Sequence, residues 1–316
     1  REVSAQVMAI LADETPRVER VSIDEAFIDI TPGRFAPEDP PLVARRISDR
    51  VAGLGVTCSI GVGCNKTVAK IASERDKPFG LTIVRPGTEQ RFLAALPVSA
   101  MSGIGRSAEE RLRRMRIYTL GELSRAPEST LASIFGVNGE HMRQRALGLE
   151  ISEVTSLDEE REVKSVSNER TFAKDLTERG DIEAAIALLG ESVGRRLRRQ
   201  GLTGATVTLK LKYSYGSGRT AQRRLPHPTD DENIFVAVAL DLLDNIWQEG
   251  MHVRLAGIGM SDFDHRGGIQ TDLFCEIDDR GAQSSDRRDL SVAIDAVRDK
   301  FGDTALSFGR QSRFNN

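Results

Sequence analysis

The sequence predicts an α+β protein built from several domains, and three observations lead to that prediction. At 316 residues the chain is long enough for about two domains, and three small ones are also possible. Strand-like and helix-like stretches alternate through residues 1–96, whereas residues 97–151 are helical in character throughout. Residues 163–261 then follow the order βαββαβ, which is a small split α/β unit. The polar, aperiodic residues 152–162 predict a linker before this unit, and residues 262–316 form a polar tail behind it.

Composition excludes several classes of protein. Hydrophobic residues make up 39% of the chain and charged residues 29%, which predicts real cores in a water-soluble protein. No stretch reaches the ~18 consecutive apolar residues of a membrane span, and no signal-peptide pattern opens the sequence. The three cysteines, an odd number without CxxC spacing, favour the reducing cytoplasm and disfavour structural zinc. A net charge of -3 indicates that any nucleic-acid-binding surface must be local.

Two adjacent carboxylates, Asp24 and Glu25, interrupt an apolar, β-prone run over Val21–Ile30. A helix precedes this run and ends at Thr15-Pro16. The apolar alternation changes parity at the acidic pair, which predicts a tight bend between two strands with both carboxylates at its tip. Like charges side by side are costly to bury, and a divalent cation offsets that cost; paired acidic residues on Mg²⁺ recur in phosphoryl transfer. A solvated hairpin turn is the alternative for such a short motif.

A basic helix follows a predicted central strand at Val56–Gly63. Asn65 is placed to cap this helix, and Lys66 and Lys70, four residues apart, share one of its faces. A helix N-terminus with lysines beside it is a natural phosphate site. An ordinary solvated helix face is the alternative.

Residues 102–107, Ser-Gly-Ile-Gly-Arg-Ser, predict a turn between two helices. The glycines Gly103 and Gly105 would let backbone N–H groups approach a DNA phosphate closely, without recognising base sequence. A plain helical turn is the alternative, but the arginines that follow favour DNA binding. They are Arg106, Arg111, Arg113, Arg114 and Arg116.

Positive charge is concentrated in the βαββαβ segment. Between Arg161 and His227 there are 14 Lys and Arg against 7 Asp and Glu, although the whole chain has a net charge of -3. Such an excess predicts contact with a nucleic-acid backbone, while any single arginine is compatible with a generic basic surface. The candidates for DNA contact in this segment are Lys164, Arg170, Lys210 and Lys212.

Two motifs resemble those of a known family. Residues 22–29, Ser-Ile-Asp-Glu-Ala-Phe-Ile-Asp, resemble the second catalytic motif of the Y-family (translesion) DNA polymerases, in the branch typified by bacterial DNA polymerase IV. The segment from Gly61 to the closing Lys77-Pro78-Phe79-Gly80 resembles a second signature of the same family. The resemblance implies that Asp24 and Glu25 are the metal-binding and catalytic carboxylates, and that Lys77 contacts the incoming triphosphate.

The same resemblance implies a division into named domains. Residues 1–96 would be a partial polymerase palm, residues 97–151 a helix-hairpin-helix thumb with a second hairpin at Phe135–Gly139, and residues 163–261 a little-finger domain on the duplex backbone. Family members open with a further palm strand, which carries another metal-binding aspartate, and with fingers; neither precedes Arg1. We therefore expect residues 1–316 alone to hold part of the metal site and not to polymerise DNA.

The implied activity is template-directed DNA synthesis of the translesion type on damaged DNA, with primer-template DNA and dNTPs as partners. Two Mg²⁺ ions about 3.5–4 Å apart would be held by Asp24 and the further aspartate. Glu25 would position or activate the primer 3′-hydroxyl, and Lys77 would offset charge on the triphosphate. Two alternatives stay open: a non-catalytic, polymerase-derived DNA-binding subunit, and a palm-fold nucleotidyl cyclase that uses the same carboxylates without DNA.

The polar tail contains Gln270-Thr271-Asp272-Leu273-Phe274. This run resembles the bacterial sliding-clamp binding peptide, in which an apolar pair, here Leu273 and Phe274, fills a pocket while a glutamine, here Gln270, hydrogen-bonds at its rim. A sliding clamp is therefore a further expected partner. Apolar spacing over residues 290–302 predicts an amphipathic helix near the end of the chain.

Overall fold

The computed structural model describes residues 1–34, 38–156, 159, 162–263, 280–302 and 305, and of residues 280–289 it describes the backbone alone. The chain divides into two compact units, residues 1–160 and residues 161–316, and each is described by itself. The division falls within the stretch predicted as a linker, although the predicted domain boundaries themselves stay a prediction. None of the described helices is both long and apolar enough to cross a lipid bilayer.

The first unit begins with a small α/β region. Its elements are α1 (Glu2–Glu14), β1 (Val18–Arg20), β2 (Ala26–Ile28), α2 (Pro40–Ala52), β3 (Ile60–Val62), α3 (Lys66–Arg75) and β4 (Leu81–Ile83). Strands β1 and β2 form an antiparallel hairpin, while β3 and β4 pair in parallel around the crossover helix α3. Each of these sheets has two strands. The apolar sides of α1 and α2 pack together with both sheets in one core.

The carboxylates lie in the connection of a hairpin, as the parity change predicts, but the first strand is displaced from its predicted position. It spans Val18–Arg20 and not the Val21–Ile23 stretch. The reason is a tight turn: the backbone N–H groups of Val21 and Ser22 both donate to the carbonyl of Glu25, at 2.9 and 3.1 Å, so the chain leaves the ladder at Val21. The predicted strand at 56–63 is likewise shorter, because only Ile60–Val62 pair with β4.

The rest of the first unit is helical, as predicted. It contains α4 (Glu89–Ala94), α5 (Arg106–Arg114), α6 (Leu120–Arg125), α7 (Glu128–Phe135) and α8 (Gly139–Leu147). The Gly-Ile-Gly turn is preceded by a single 3-10 turn at Val98–Ala100, where a helix was predicted. The second hairpin is complete, because α7 and α8 are joined by the 3-10 turn Gly136–Asn138. Buried residues of α3 belong to the same core as these helices.

The second unit has the predicted order βαββαβ and is followed by a terminal helix. Its elements are β5 (Ser165–Leu176), α9 (Arg179–Gln200), β6 (Gly204–Tyr213), β7 (Gly218–Thr229), α10 (Glu232–Ile246), β8 (Val253–Phe263) and α11 (Arg280–Phe301). The strands pair antiparallel in the order β5-β8-β6-β7. Helices α9 and α10 pack on one face of this sheet and form the largest core of the unit. The fold class predicted from the sequence is confirmed.

Candidate active site and nucleic-acid interface

Asp24 is held ready as an ionised carboxylate in the β1–β2 turn. Its side chain accepts a hydrogen bond of 2.6 Å from the hydroxyl of Ser22, and its backbone N–H donates to the same hydroxyl oxygen at 3.3 Å. The Ser22 hydrogen bond is the main reason that the pKa of Asp24 lies below its usual range; the positive charges of Lys70 and Lys77 act in the same direction. Asp24 is exposed to solvent. An exposed, ionised oxygen donor is what a hard cation requires.

Glu25 has a different environment from its neighbour. Its carboxylate accepts a hydrogen bond from the ammonium of Lys70, which also donates to Glu74 at 3.0 Å. Burial lowers the pKa of Lys70, but hydrogen bonds from this ammonium to Glu25 and Glu74 outweigh that effect and raise the pKa overall. Lys77 reaches the same Glu74 at 2.7 Å. The basic groups beside the acidic pair are thus linked to it through shared carboxylates.

The N-terminus of α3 is already occupied by carboxylates. Asn65 caps it as predicted, accepting from the N–H of Val68 at 3.0 Å. Glu150, which lies 83 residues away in sequence, accepts from the N–H of Thr67 at 3.0 Å. Lys66, the first residue of the helix, bonds to Glu19. The sequence indicated a phosphate site at this helix end, and the structure places glutamates there.

Both carboxylates and both cleft lysines line one cleft of about 490 Å³. Asp24, Glu25, Lys70 and Lys77 lie along it, and Phe79 beside them is 66% exposed. The rest of the lining is largely apolar and comes from α1, α2, β2 and β3, including Leu11, Ile28, Ile47 and Ile60. Since β2 and β3 belong to separate two-stranded sheets, each leaves one edge without a strand partner in the described residues.

The donor set suits a hard cation but is incomplete. Carboxylate oxygens are the ligands that Mg²⁺ takes in proteins, usually one or two carboxylates together with waters and substrate phosphates. Asp24 and Glu25 provide such a pair. Within the described ranges, no three His, Cys, Asp or Glu side chains come close enough together to hold a metal ion. The pair fits part of a Mg²⁺ site, and the remaining ligands would have to come from substrate, water or other residues.

In the helical region, the predicted phosphate-binding turn has a positive φ of 95° at Gly103, which favours glycine, and Gly105 immediately precedes α5. Arg106 begins that helix and is exposed. The other arginines differ in role: Arg111 donates to the carbonyls of Ser133 and Ile134 at the end of α7, so it is structural. Arg113 forms a 3.0 Å ion pair with Glu109 on its own helix.

The uncovered face of the four-stranded sheet carries small polar side chains. A shallow trough of about 250 Å³ runs along it, lined by Ser167, Thr208, Gly257 and Gly259 among others. Strand β5 approaches so closely that a Cβ on Gly257 would lie 2.6 Å from the Cγ of Glu169, which requires glycine. Such a face admits an extended polar ligand near the backbone.

The four predicted DNA-contacting residues of this unit divide between its faces. Lys210 and Lys212 alternate with buried Leu209 and Leu211 on β6, so they point to the uncovered face. Lys210 is paired with Glu169 at 2.7 Å, whereas Lys212 is exposed. Arg170 pairs in register with the buried Ala256 and therefore lies at the rim of the helix-covered face. Lys164 is exposed just before β5.

The arginine run on α9 is engaged with acidic side chains. Arg198 bonds to Glu232 of α10 and, at 2.7 Å, to Asp295 of α11, and Arg195 and Arg199 both reach Asp299. These arginines belong to the excess of positive charge from which the sequence predicts contact with a nucleic-acid backbone. In the described structure Arg195, Arg198 and Arg199 are paired with acidic residues of α10 and α11, and DNA contact by this basic segment stays a prediction.

Some predictions lie beyond the structure, and some site residues escaped prediction. The clamp-binding candidates Gln270, Leu273 and Phe274 lie outside the described residues. Sequence reasoning missed the roles of Ser22 and Glu150. Ser22 had a detectable signal, since a serine two residues before an aspartate is a common local hydrogen-bonding arrangement. Glu150 had none, since its partner is distant in sequence.

Comparisons with known proteins agree with this architecture. The impB/mucB/samB family matches residues 1–74, and the C-terminal domain of the same family matches residues 163–273. A DNA polymerase IV of Oceanobacillus iheyensis is 30% identical over 311 residues, covering 97% of this chain and 72% of that protein. A DNA polymerase IV of Moorella thermoacetica is 35% identical over 308 residues, covering 96% and 74%.

Among solved structures, a Y-family DNA polymerase chimera superposes with a TM-score of 0.70 at 23% identity, over 83% of this chain and 75% of that one. A post-insertion binary complex of Dbh DNA polymerase superposes with a TM-score of 0.50 at 22% identity, over 83% and 76%.

Proposed function

The chain belongs to the Y-family DNA polymerases of the impB/mucB/samB type, and from this premise we propose that it takes part in translesion DNA synthesis. The reaction proposed is two-metal nucleotidyl transfer: the primer 3′-hydroxyl attacks the α-phosphate of a dNTP and pyrophosphate leaves. The single observation that carries the proposal is the cleft in which Asp24, Glu25 and Lys77 lie together.

Asp24 and Glu25 would hold Mg²⁺ through their carboxylate oxygens. When bound, the metal supplies charge stabilisation for the attacking and leaving oxygens. Asp24 is suited to this role because the Ser22 hydroxyl orients its carboxylate and lowers its pKa. Glu25 would release its hydrogen bond with Lys70 and bind the metal, or it would orient the primer 3′-hydroxyl. The charge of Lys70 then stays beside the cleft to offset phosphate charge.

Lys77 would bind the triphosphate. It reaches the cleft from the turn after α3, is half exposed, and is held by Glu74 rather than buried. A flexible ammonium of this kind serves phosphates as a point charge. The lining of the cleft is partly apolar, and β2 and β3 each have an edge without a strand partner in the described residues. A further strand that paired there would bring additional ligands to the metal.

Primer extension with Mg²⁺ and dNTPs tests the polymerase proposal. The assay compares the 316-residue chain, the same chain carrying at its amino end the palm strand and fingers of a DNA polymerase IV relative, and Asp24→Asn in each background. We expect extension with the added strand and fingers, and a loss of at least about a hundredfold with Asp24→Asn, since an amide neither balances the charge of the metal nor ionises.

Glu249→Gln is the matched control, because Glu249 is an exposed acidic residue of the second unit and does not line the cleft. It should leave extension unchanged. Extension that survives Asp24→Asn would refute the assignment of this carboxylate. A chimera that binds primer-template without ever extending it would refute the catalytic role altogether.

The second unit would hold the duplex through its uncovered sheet face. That face offers Lys210, Lys212 and a trough of hydroxyl groups, which suit sequence-independent contact with phosphates and sugars. Duplex affinity that weakens steeply with salt is the expected result. Duplex binding would also exclude the nucleotidyl cyclase alternative.

A non-catalytic DNA-binding subunit is the second candidate function. It is favoured by the ion pair with Lys70 that engages Glu25. The extension assay above separates the two candidates, because this alternative predicts binding without synthesis in every background.

Residues 270–274 would bind a sliding clamp through Gln270, Leu273 and Phe274. Replacing Leu273 and Phe274 by Ala should abolish binding to a bacterial clamp, since the apolar pair fills the pocket. Replacing the intervening Thr271 by Ala is the control. Equal clamp affinity in all three proteins would refute this assignment.

A further inference from the structure

The terminal helix α11 docks on α9 through charged side chains. Four ion pairs between described side chains join the two helices: Arg298–Glu191, Arg195–Asp299 at 2.5 Å, Arg198–Asp295 at 2.7 Å, and Arg199–Asp299. The charge orders are complementary. Helix α9 presents an acidic residue followed by arginines, whereas α11 presents two aspartates around an arginine. This complementarity fixes where α11 lies along α9.

These pairs range from buried to exposed. The side chains of Arg298 and Glu191 are 7% and 10% exposed, whereas those of Arg199 and Asp299 are 55% and 50% exposed. Hydrogen bonds from Arg195 and Arg199 lower the pKa of Asp299. Arg198 is held from two sides, since Glu232 binds it independently of α11. The α9 arginines thus have acidic partners on two helices: Glu232 on α10, and the two aspartates on α11.

Apolar packing contributes little to this docking. Among the described side chains of α11, Leu290, Val292, Val297 and Phe301 are 60, 51, 36 and 67% exposed, and Ile294 is partly buried. No residue of α11 belongs to the hydrophobic core of the second unit as described. A surface helix normally buries its apolar stripe and exposes its charges. In α11 this arrangement is reversed, so charge supplies the attachment.

We propose that α11 is a detachable strap, and that nucleic-acid phosphates compete with its aspartates for the arginines of α9. A carboxylate and a phosphate bind the guanidinium fork in the same way. The exposed Arg199–Asp299 pair contributes little and is screened by salt. In the buried pairs Arg298–Glu191 and Arg198–Asp295 the cost of desolvating both charges offsets much of their attraction, so α11 detaches at a modest cost in free energy. Once α11 detaches, Arg195 and Arg199 would bind a phosphate backbone on the side of the domain opposite the uncovered sheet face. The inference rests on the proposed DNA binding of this unit.

Hydrogen exchange of the intact protein tests whether the strap detaches. We expect the amides of residues 290–302 to exchange faster as sodium chloride is raised, and faster also when duplex DNA is added at low salt. Strands β6 and β8 of the core should remain protected in both experiments. The double variant Asp295→Asn/Asp299→Asn should accelerate exchange of α11 by roughly fivefold or more in the absence of DNA. Asp295→Glu/Asp299→Glu keeps both carboxylates and should restore protection.

Duplex affinity measured against salt tests whether phosphates take the place of the aspartates. Each added phosphate contact steepens the slope of log affinity against log salt by about 0.9, so the Asn double variant should be steeper by roughly one to two. The matched control Glu178→Gln/Glu249→Gln makes the same change in net charge at exposed positions remote from the arginine run. It should leave the slope unaltered.

The outcomes separate the two proposals. A wild-type chain that does not bind duplex DNA would refute the DNA-binding role, and the competition with it. A wild-type chain that binds duplex while α11 stays protected, with the same salt slope in the Asn double variant, would refute the strap alone.

Discussion

At the scale of single residues, the acidic pair shows how two adjacent carboxylates acquire different properties. Asp24 faces solvent and takes its hydrogen bond from Ser22, two residues away, whereas Glu25 is paired with Lys70 from another element. Since one partner is local and the other is 45 residues distant, the sequence predicts the first more readily than the second. In the proposed mechanism, Asp24 would therefore be the more accessible metal ligand.

The Ser22 hydroxyl makes the pH dependence of Asp24 testable. Its hydrogen bond favours the ionised carboxylate and is the largest cause of the lowered pKa. In Ser22→Ala the pKa of Asp24 should therefore rise toward its ordinary value, so that Mg²⁺ affinity is lost at a higher pH as the solution is acidified. At neutral pH the carboxylate stays ionised in both proteins and affinity should differ little. Carboxyl chemical shifts followed by NMR, with Ser133→Ala as the control, measure this. An unmoved Asp24 titration would show that the hydroxyl does not set the pKa.

At the scale of elements, α3 joins the α/β region to the helical region of the first unit. The N–H of Thr67 at its N-terminus donates to Glu150 from beyond α8, and Arg145 of α8 donates to the hydroxyl of Thr67 at 2.8 Å and to the carbonyl of Ser102 at 2.8 Å. The same helix carries Lys70 and leads into Lys77. The contact at its N-terminus therefore positions the two cleft lysines.

Glu150→Ala should loosen this helix. Removing a carboxylate that accepts from an N-terminal N–H lowers the free energy of unfolding by about 1–2 kcal/mol. The N–H donor loses its partner, and the helix dipole loses the negative charge that stabilises it. We expect faster amide exchange in α3 and a lower urea midpoint for the first unit, with Lys77 less well placed. Glu110→Ala removes an exposed glutamate from α5 and is the control. Unchanged exchange in α3 would refute the role of Glu150.

Local signals fixed the elements that could be predicted. The Asn65 cap, the acidic turn and the βαββαβ order all follow from periodicity and from residues within a few positions of each other. The displaced first strand did not, because the turn closes through backbone bonds to the Glu25 carbonyl that leave no mark on side-chain alternation. The partners of Lys66 and Lys70 could not be predicted either, since they are brought near by tertiary packing.

At the scale of the whole molecule, the distribution of charge matters more than its sum. The excess of positive charge between residues 161 and 227 indicated a basic domain, yet α11 and α10 supply acidic partners to Arg195, Arg198 and Arg199. A charge count along the sequence cannot distinguish a free arginine from one that is paired a hundred residues away. The uncovered sheet face consequently depends on fewer cations than the count implied.

Single lysine substitutions test whether this face holds the duplex. Lys212 is exposed there, so Lys212→Ala should weaken binding to all DNA sequences alike and reduce the salt slope by about 0.9, the contribution of one phosphate contact. Lys210→Ala should have a smaller effect, because Glu169 already neutralises part of that charge. Arg170→Ala removes the same charge from the fourth candidate contact, at the rim of the helix-covered face, so a duplex held on the uncovered face alone predicts an unchanged slope. An effect of Arg170→Ala equal to that of Lys212→Ala would mean that the duplex does not lie on the uncovered face, and that the helix side, with its arginine run beneath α11, is the primary contact.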